Sequence, residues 1–500
     1  MLDILIIDPP HVVLKGLATD RGYNMGPVSL AAYLRQEGIR SAVLTGDLLM
    51  DYRITNPVSN IVHELRTTVN NLAAGQREIE SAINNRNHIV WKKLIEAVIE
   101  VNPKAVGIPY FTPMKCIVER IASLIKELNP DIKIIAGSFH PTFCPEDVML
   151  NTDIDFVIRG EGEIPLANLM KEMKKDNPKW ETVPGIYYRN QDGQVMHNPG
   201  AGLIADLDIL PFPARDLVLN CDYNIYRVHS ISTTRGCPYT CSFCADNRFW
   251  NGKVRRRSVE SVIAELRLLK EQYKAVSVDF VDGTFTYDRK YLETFCQTLI
   301  NEKLNIKWGC TARYDNLDED LLKLMKRAQC TGLYFGLESG SDRILKSIDK
   351  KLTVEKMMKV SKMVRQSGIT CISSVLLGLP DETKEDIEAT LKLMEIFKTD
   401  FFDVNSFAPL PGSTLGDSIS EEERKNVDWG KVAFKSYDNY FSKAMSKEEF
   451  RKNQKKAYQI SDRVRRRSII RLGLKTVSNS ITRKFKKSNN GSAESLFSYS

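Results

Sequence analysis

Three cysteines on one short segment have the spacing of a metal-binding loop. Cys237, Cys241 and Cys244 lie in TRGCPYTCSFCADNRF and form a C-x3-C-x2-C pattern. Because thiolates are the usual ligands of iron–sulfur clusters, the three can hold three irons of a 4Fe-4S cluster. The fourth iron then receives no ligand from this loop. Such an open position is where a catalytic metal meets its substrate.

A structural zinc site and three unrelated buried thiols are the alternatives. Zinc usually takes four ligands, commonly as two pairs. Neither a second cysteine pair nor a pair of closely spaced histidines lies near the loop, so the pattern favours the cluster. Three further cysteines, Cys310, Cys330 and Cys371, fall on or beside predicted strands and are expected to be small buried residues.

The composition is that of a globular protein with two or three domains. The chain has 500 residues, of which 42% are hydrophobic and 27% charged, and its net charge is +8; these values are ordinary for a globular chain. No long apolar run predicts a transmembrane helix, and MLDILIIDPP is typical of a strand rather than a signal peptide. Ten cysteines do not make a disulfide scaffold, and a cluster-binding loop favours a reducing cytoplasm.

Residues 1–165 alternate between strand and helix patterns. This alternation predicts a doubly wound, Rossmann-like parallel sheet, in which ligands bind at the carboxyl ends of the strands. Residues 51–95 are polar and helical, and are interpreted as an insertion or lid. The predicted strands are Leu2–Asp8, Ser41–Leu44, Ala105–Pro109, Lys133–Ala136 and Asp155–Ile158.

Residues 228–425 repeat the alternation and predict a partial (β/α)6 TIM-like barrel. A polar or glycine-containing cluster follows each predicted strand, and the chemistry of such barrels takes place at those strand ends. The predicted strands are Ile231–Thr234, Ala275–Val281, Lys307–Ala312, Leu333–Leu337, Cys371–Leu377 and Phe402–Phe407.

A connector and a basic tail complete the chain. Residues 166–227 are predicted to contain a small hairpin, Gly185–Tyr188 with Gly193–His197, and a proline-rich link, Leu207–Arg215, which prolines stiffen. Residues 426–487 are predicted to be helical and basic, and residues 488–500 disordered. The stretch RRRSIIRL mixes bases with apolar residues. It predicts either an amphipathic helix on a membrane surface or a helix docked on the barrel.

The cluster loop closely resembles that of the radical S-adenosylmethionine (SAM) enzymes. By that resemblance the open iron chelates the amino and carboxylate groups of SAM, and Phe243 lies near the adenine. Five N-terminal strings resemble the cobalamin-binding domain that precedes many of these enzymes: ILIIDPP, MGPVSLAAYLRQEGI, AVGIPYFT, IKELNPDIKIIAGSFHPT and DFVIRGEGE.

The resemblance also implies a set of SAM contacts at the barrel's strand ends. Asp282 and Gly283 match the place where the family grips the methionyl amino group, although most relatives have D-D-T-F-T where this chain has D-G-T-F-T. The other implied contacts are Arg313 to the carboxylate, Glu338 and Ser339 to the ribose and methionyl groups, and Gly378 and Leu379 beside the adenine. A structural ion-pair network is the alternative for the charged members of the set.

The implied cobalamin contacts lie in the loops that follow the N-terminal strands. They are Asp8, Pro9, Pro10, Thr112, Gly137, Ser138, His140, Gly160 and Glu161. The motif D-x-H-x-x-G, which supplies a cobalt ligand in many relatives, is absent. The lower axial position would then be empty, filled by water or blocked by another side chain. A Rossmann-like domain without a cofactor is the alternative.

The resemblance to cobalamin-dependent radical SAM enzymes spans residues 1–415. It implies a 5'-deoxyadenosyl radical and methylation of an unactivated carbon through methylcobalamin, with no catalytic residue assigned beyond the cluster. The alternatives are an oxidative cyclase or rearrangement enzyme, like the anaerobic magnesium-protoporphyrin monomethyl ester cyclases, and a non-catalytic cobalamin or redox sensor. The expected partners are a small-molecule or lipid-like substrate and an electron donor such as flavodoxin or ferredoxin, without nucleic acid. The expected location is the cytoplasm, with peripheral membrane association through the tail as a variant.

Overall fold

The computed structural model describes residues 2–10, 24–49, 80–221, 228–429, 431–432 and 439–491. Of the predicted insertion at 51–95, only residues 80–95 fall within these ranges. Of the tail predicted to be disordered, 488–500, residues 488–491 belong to the C-terminal helix, which ends at Gly491, and residues 492–500 lie outside these ranges.

The N-terminal half is built on a seven-stranded sheet with the order β2-β1-β3-β4-β5-β6-β7. Strands β1 to β5 pair in parallel, and β6 and β7 add an antiparallel edge. The strands are β1 Ile4–Asp8, β2 Ser41–Thr45, β3 Ala105–Pro109, β4 Lys133–Gly137, β5 Phe156–Ile158, β6 Ile186–Arg189 and β7 Val195–His197. All five predicted strands are present, and the hairpin placed in the connector joins the same sheet.

Helices cover both faces of this sheet. They are α1 Met25–Gln36, α2 Ile89–Val101, α3 Lys115–Leu128, α4 Phe139–Phe143, α5 Pro145–Met149 and α6 Glu163–Glu172. Alternate residues of β1 therefore enter opposite cores: Ile4 and Ile6 pack with α1 and α6, whereas Leu5 and Ile7 pack with α2 and α3. Burial on both faces explains why β1 is a continuous apolar run instead of an alternating one.

The C-terminal half is built on a six-stranded parallel sheet with the order β15-β14-β13-β12-β11-β8. Its strands are β8 Val228–Ile231, β11 Ser277–Phe280, β12 Lys307–Ala312, β13 Cys330–Glu338, β14 Thr370–Leu377 and β15 Phe401–Ser406. Two short strands, β9 Thr234–Arg235 and β10 Arg255–Arg256, form a separate antiparallel pair.

The first barrel strand differs from its prediction. Ile231–Thr234 was expected to be that strand, but β8 ends at Ile231. The reason is a buried carboxylate: Asp282 accepts the backbone N–H groups of Thr233 and Thr234. These two amides are therefore not available to a neighbouring strand.

The remaining helices surround the second sheet. They are α7 Asp246–Phe249, α8 Val259–Gln272, α9 Arg289–Asn301, α10 Glu319–Arg327, α11 Asp342–Ser347, α12 Val354–Ser367, α13 Lys384–Ile396, α14 Thr414–Asp417, α15 Glu421–Lys425 and α16 Lys447–Gly491. Cys310, Cys330 and Cys371 are buried, as predicted.

The basic tail helix α16 docks on the barrel over its first half. Ser461 donates a hydrogen bond to the Phe402 carbonyl at 2.9 Å, and Phe450 is fully buried. Arg471 forms an ion pair with Asp400 on the barrel. Of the two arrangements that the sequence left open, these contacts correspond to the helix docked on the barrel. None of them supports binding of the helix to a membrane surface. No helix among the described residues has the length and apolarity needed to cross a bilayer.

The proline-rich link is fixed to both halves. Ala214 donates its backbone N–H to the Val28 carbonyl of α1 at 3.0 Å. The next residue, Arg215, forms a fully buried ion pair of 2.7 Å with Glu265 of α8. Because a buried charge that loses its partner is costly, this pair holds the link in one position.

Candidate cofactor-binding site between the two sheets

The cysteine loop runs from β9 to α7 and is held by hydrogen bonds. Asn247 donates its side-chain N–H to the Cys237 carbonyl at 2.8 Å, and the Cys244 amide donates to the Cys241 carbonyl at 3.0 Å. The Ser242 amide reaches the carbonyl of Ile348 at 3.0 Å. Cys237 and Cys241 are partly buried and Cys244 is exposed. The structure therefore brings all three thiols to one loop at the mouth of the barrel.

The donor set of this loop fits an iron–sulfur cluster. The fit rests on the chemistry of three thiols on one loop, since no three His, Cys, Asp or Glu side chains of the described residues stand around one metal position. Burial raises the pKa of the Cys241 thiol. A coordinated thiol is nevertheless deprotonated by the metal. On the other side of the loop, Gly283 has no side chain to crowd Cys237, whose Cβ would lie 3.3 Å from a Cβ at position 283.

Arg313 braces the cluster loop from β12. Its guanidinium stacks on Tyr239, with Cζ 3.7 Å from the ring centroid. It also donates to both carboxylate oxygens of Asp315, at 3.0 and 3.2 Å, and to the Lys350 carbonyl at 2.7 Å. Arg313 thus lies beside the loop, where the SAM carboxylate was expected, but it also forms the ion pair named as the alternative.

Asp282 lies fully buried at the end of β11. Its Oδ1 accepts from the amides of Thr233 and Thr234 at 2.7 and 2.6 Å, and its Oδ2 accepts from the Thr233 hydroxyl at 2.8 Å. Burial raises the pKa of Asp282, although these hydrogen bonds lower it. The carboxylate therefore fixes the chain that leads into the cluster loop, a role that the sequence did not predict.

Glu338 and Ser339 lie at the end of β13, where the backbone is strained. Glu338 has φ of +60°, a left-handed conformation that non-glycine residues seldom adopt and that often occurs at functional sites. Its carboxylate accepts from the Lys350 ammonium at 2.7 Å. The Ser339 hydroxyl is fully buried and lies 3.2 Å from that of Thr390.

Gly378 and Leu379 lie at the end of β14, close to Phe243. Gly378 has φ of +81°, and a Cβ there would lie 2.8 Å from the Phe450 ring of α16. Its amide donates to Glu382 at 2.7 Å, and burial raises the pKa of Glu382 to about 8. Leu379 and Phe243 belong to one apolar cluster, so the two residues predicted to flank the adenine are brought together.

One cavity of about 430 Å³ joins the two halves of the molecule. From the N-terminal sheet it is lined by Asp8, Gly137, Ser138, Gly160 and Glu161, all predicted cobalamin contacts. From the barrel it is lined by Arg235, Gly236, Asp246, Trp250 and Gly283. The strand ends of the N-terminal sheet and those of β8 and β11 therefore open into the same space. Arg313, Glu338, Ser339, Gly378 and Leu379, which follow the later barrel strands, do not line it.

The strand-end loops on the cobalamin side of the cavity leave open space. A Cβ at Gly160 would meet no atom within 4 Å, and at Gly137 only a carbonyl oxygen at 3.9 Å. Ser138 has φ of +80°, a strained conformation of the kind found at ligand-binding loops. These features fit a large flat cofactor lying against the loops.

Four predicted cobalamin contacts do not line this cavity: Pro9, Pro10, Thr112 and His140. The His140 ring is buried, with Nδ1 3.0 Å from the Thr112 hydroxyl and Nε2 3.6 Å from Asp147. Burial lowers the pKa of His140. Among the described residues that line the cavity there is no histidine.

Glu161 has a second role that the sequence did not reveal. Its carboxylate forms ion pairs with Arg235 at 2.6 Å and Arg255 at 2.8 Å, both in the barrel half. Glu163 also pairs with Arg235, and Arg255 lies over the Trp250 ring at 5.3 Å. The four charged residues form an interdomain ion-pair network, which connects the N-terminal half to Arg235, two positions before Cys237.

Aromatic residues that no sequence motif singled out also contact each other across the boundary between the two halves. Phe139 stacks on Phe249 with ring centroids 4.2 Å apart, and Phe111 stacks on Phe139 at 5.1 Å. All three line the cavity. The only signal in the sequence was their position next to glycine-rich or cysteine-rich loops, which does not reveal a partner in another domain.

Comparison with known proteins agrees with this arrangement. The model of the B12 binding domain matches residues 12–170, and that of the Radical SAM superfamily matches residues 231–394. An uncharacterized methyltransferase of Pyrococcus horikoshii is 30% identical over 347 residues, which are 69% of this chain and 75% of that protein. The anaerobic magnesium-protoporphyrin IX monomethyl ester cyclase of Rubrivivax gelatinosus is also 30% identical over 347 residues, 67% of this chain but only 62% of the cyclase.

A solved structure shares the fold. The radical SAM methyltransferase TsrM of Kitasatospora setae, with cobalamin and a 4Fe-4S cluster bound, superposes with a TM-score of 0.64 at 17% identity, over 84% of this chain and 78% of TsrM. The chain belongs to the cobalamin-binding radical SAM enzymes. Its cofactors are SAM, a 4Fe-4S cluster and cobalamin.

Proposed function

We propose that this enzyme methylates an unactivated carbon of a small-molecule substrate. The observation that carries the proposal is a cavity that is lined both by strand-end loops of the N-terminal sheet and by residues around the cysteine loop. When bound, the cluster and SAM supply a 5'-deoxyadenosyl radical and cobalamin supplies a methyl group. A substrate in one shared cavity can meet both without diffusing through water.

Three sets of residues are proposed to hold the cofactors. Cys237, Cys241 and Cys244 hold the cluster. Phe243, Asp282, Gly283, Arg313, Glu338, Ser339, Gly378 and Leu379 surround SAM. Asp8, Gly137, Ser138, Gly160 and Glu161 lie nearest the cobalamin. The protein's part is to orient these groups and to exclude water, through the aromatic stack of Phe111, Phe139 and Phe249 across the boundary.

Methyl transfer makes a quantitative prediction. Anaerobically reconstituted enzyme, given methyl-labelled SAM, a low-potential electron donor such as flavodoxin or ferredoxin, and a small-molecule extract of the host, should add the labelled methyl group to one extract component. Each labelled product should accompany one 5'-deoxyadenosine and one S-adenosylhomocysteine, measured by mass spectrometry. The matched control is Cys244→Ala, which should form no labelled product. 5'-Deoxyadenosine without any labelled product would contradict methylation.

Oxidative cyclisation is the second candidate. It is favoured by the similarity to the Rubrivivax gelatinosus cyclase, whose identity to this chain equals that of the methyltransferase relative. In the same experiment a cyclase would produce 5'-deoxyadenosine and an unlabelled product that has lost hydrogen. A protein that cleaves no SAM at all would instead fit the sensor alternative.

Cobalamin should bind without a histidine ligand to cobalt. His140 does not line the cavity, and its ring nitrogens lie by Thr112 and Asp147. The electron paramagnetic resonance spectrum of the cob(II)alamin form should therefore show no superhyperfine splitting from an axial nitrogen, and His140→Leu should leave the spectrum unchanged. Nitrogen splitting that disappears in the variant would contradict the prediction and assign His140 as a ligand.

A further inference from the structure

Asp246 places a carboxylate where a side chain at position 283 would otherwise lie. An ideal Cβ at Gly283 would be 2.9 Å from Oδ2 of Asp246 and 3.3 Å from the Cβ of Cys237. Asp246 is the first residue of α7, two positions after Cys244. The two positions therefore compete for one space beside the cluster loop, and in this chain the acid comes from α7.

The Asp246 carboxylate is held in place through one oxygen, and its other oxygen accepts no hydrogen bond from the described residues. Its Oδ1 accepts from the indole N–H of Trp250 at 3.0 Å. Within the described part of the chain, no group donates a hydrogen bond to Oδ2. Asp246 also lines the cavity between the two sheets. Its free oxygen is therefore available to a ligand bound next to the cysteine loop.

Asp282, the neighbouring acid, cannot take this role. Both of its oxygens already accept hydrogen bonds from Thr233 and Thr234. Gly283 has no side chain at all. Of the side chains at these three positions, only that of Asp246 has an acceptor oxygen that faces the cavity beside Cys237.

We propose that Oδ2 of Asp246 accepts a hydrogen bond from the α-amino group of SAM. An amine is the only hydrogen-bond donor group of the methionyl part, and a carboxylate acceptor makes the bond charge-assisted. Asp246 thereby supplies from α7 the contact that residue 283 cannot make. The proposal concerns SAM binding alone, so a failure of methyl transfer would leave it intact.

The first test removes the acceptor while keeping the shape. Asp246→Asn can retain the bond from Trp250 through its amide oxygen. Titrations of the reconstituted holoenzyme should show SAM affinity lower by about 10- to 100-fold, the loss expected for one charge-assisted hydrogen bond. Affinity for desamino-SAM, which lacks the amino group, should change little. The control is Glu260→Gln, an exposed acid in the first turn of α8, which should bind both ligands normally.

The second test moves the acid to the other position. Gly283→Asp alone should weaken SAM binding, because its side chain would collide with Asp246. The double variant Asp246→Ala/Gly283→Asp removes the collision and should recover most of the affinity lost in Asp246→Ala. Iron content and the spectrum of the reduced cluster check that each variant keeps its cluster.

Three outcomes would overturn the proposal. SAM affinity could be unchanged in Asp246→Asn, which would show that the carboxylate makes no contact. Affinity for SAM and desamino-SAM could fall by the same factor, which would indicate a structural role. The cluster could be lost from Asp246→Asn while Glu260→Gln retains it, which would make Asp246 a support of the loop.

Discussion

Alanine at Cys237, Cys241 or Cys244 should each abolish the cluster and, with it, reductive cleavage of SAM. All three thiols lie on one hydrogen-bonded loop, and two thiolates cannot hold the three irons that the pattern assigns to protein ligands. After anaerobic reconstitution, the wild-type chain should bind about four irons. Each variant should bind far less and form no 5'-deoxyadenosine.

Cys116 offers a matched control for this experiment. It is also a partly buried free thiol, but it lies on α3 in the N-terminal half. Cys116→Ala should therefore keep its iron and its SAM cleavage. A cluster-loop variant that retains full iron content and activity would overturn the assignment of the loop.

The sequence predicted the site best where the residues that act together are close to one another in the chain. The C-x3-C-x2-C spacing places the three thiols on one loop whatever the rest of the chain does. Most strands were predicted because a buried parallel strand is an apolar run followed by a break, as in β1 with its Asp8-Pro9-Pro10 ending. Because the carboxyl ends of parallel strands lie at one edge of a sheet, the loops that follow them were expected to lie together.

The sequence could not reveal which side chains meet across long separations. Asp282 and Glu161 were predicted as cofactor contacts from their motifs. In the structure, Asp282 accepts a hydrogen bond from Thr233, and Glu161 forms ion pairs with Arg235 and Arg255. Nothing local to GEGE indicates an arginine 74 positions later in the chain. Likewise, D-G-T-F-T showed that an acid was absent at position 283, whereas only the fold shows that the Asp246 carboxylate lies beside that position.

Backbone strain was equally invisible to sequence reasoning. Ser138 and Glu338 both have positive φ, at +80° and +60°, yet neither is a glycine or an asparagine, the residues that usually signal this conformation. Tertiary contacts hold Glu338 in place through its ion pair with Lys350. Both residues were nevertheless predicted as cofactor contacts, where such strain is often found.

Glu161→Gln should destabilise the protein even before any cofactor binds. The carboxylate is almost completely buried between Arg235 and Arg255, and removing one partner of a buried ion pair costs about 3–5 kcal/mol. Urea unfolding of the apoprotein should show a midpoint well below that of the wild type. The control is Glu100→Gln, an exposed acid on α2, which should leave the midpoint unchanged.

This experiment separates the two roles of Glu161. If Glu161 contacted only cobalamin, Glu161→Gln would lower the affinity for cobalamin and leave the apoprotein as stable as the wild type, which would contradict the ion-pair role.

The pH dependence of stability gives a second check. Burial raises the pKa of Glu161, but Arg255 and Arg235 more than offset this and hold it below its usual range. The ion pair should therefore make its full contribution to the stability of the folded protein above the ordinary glutamate pKa of about 4.3. Its contribution should vanish as the pH falls through the lower folded value, so the gap between wild type and Glu161→Gln should close in acid.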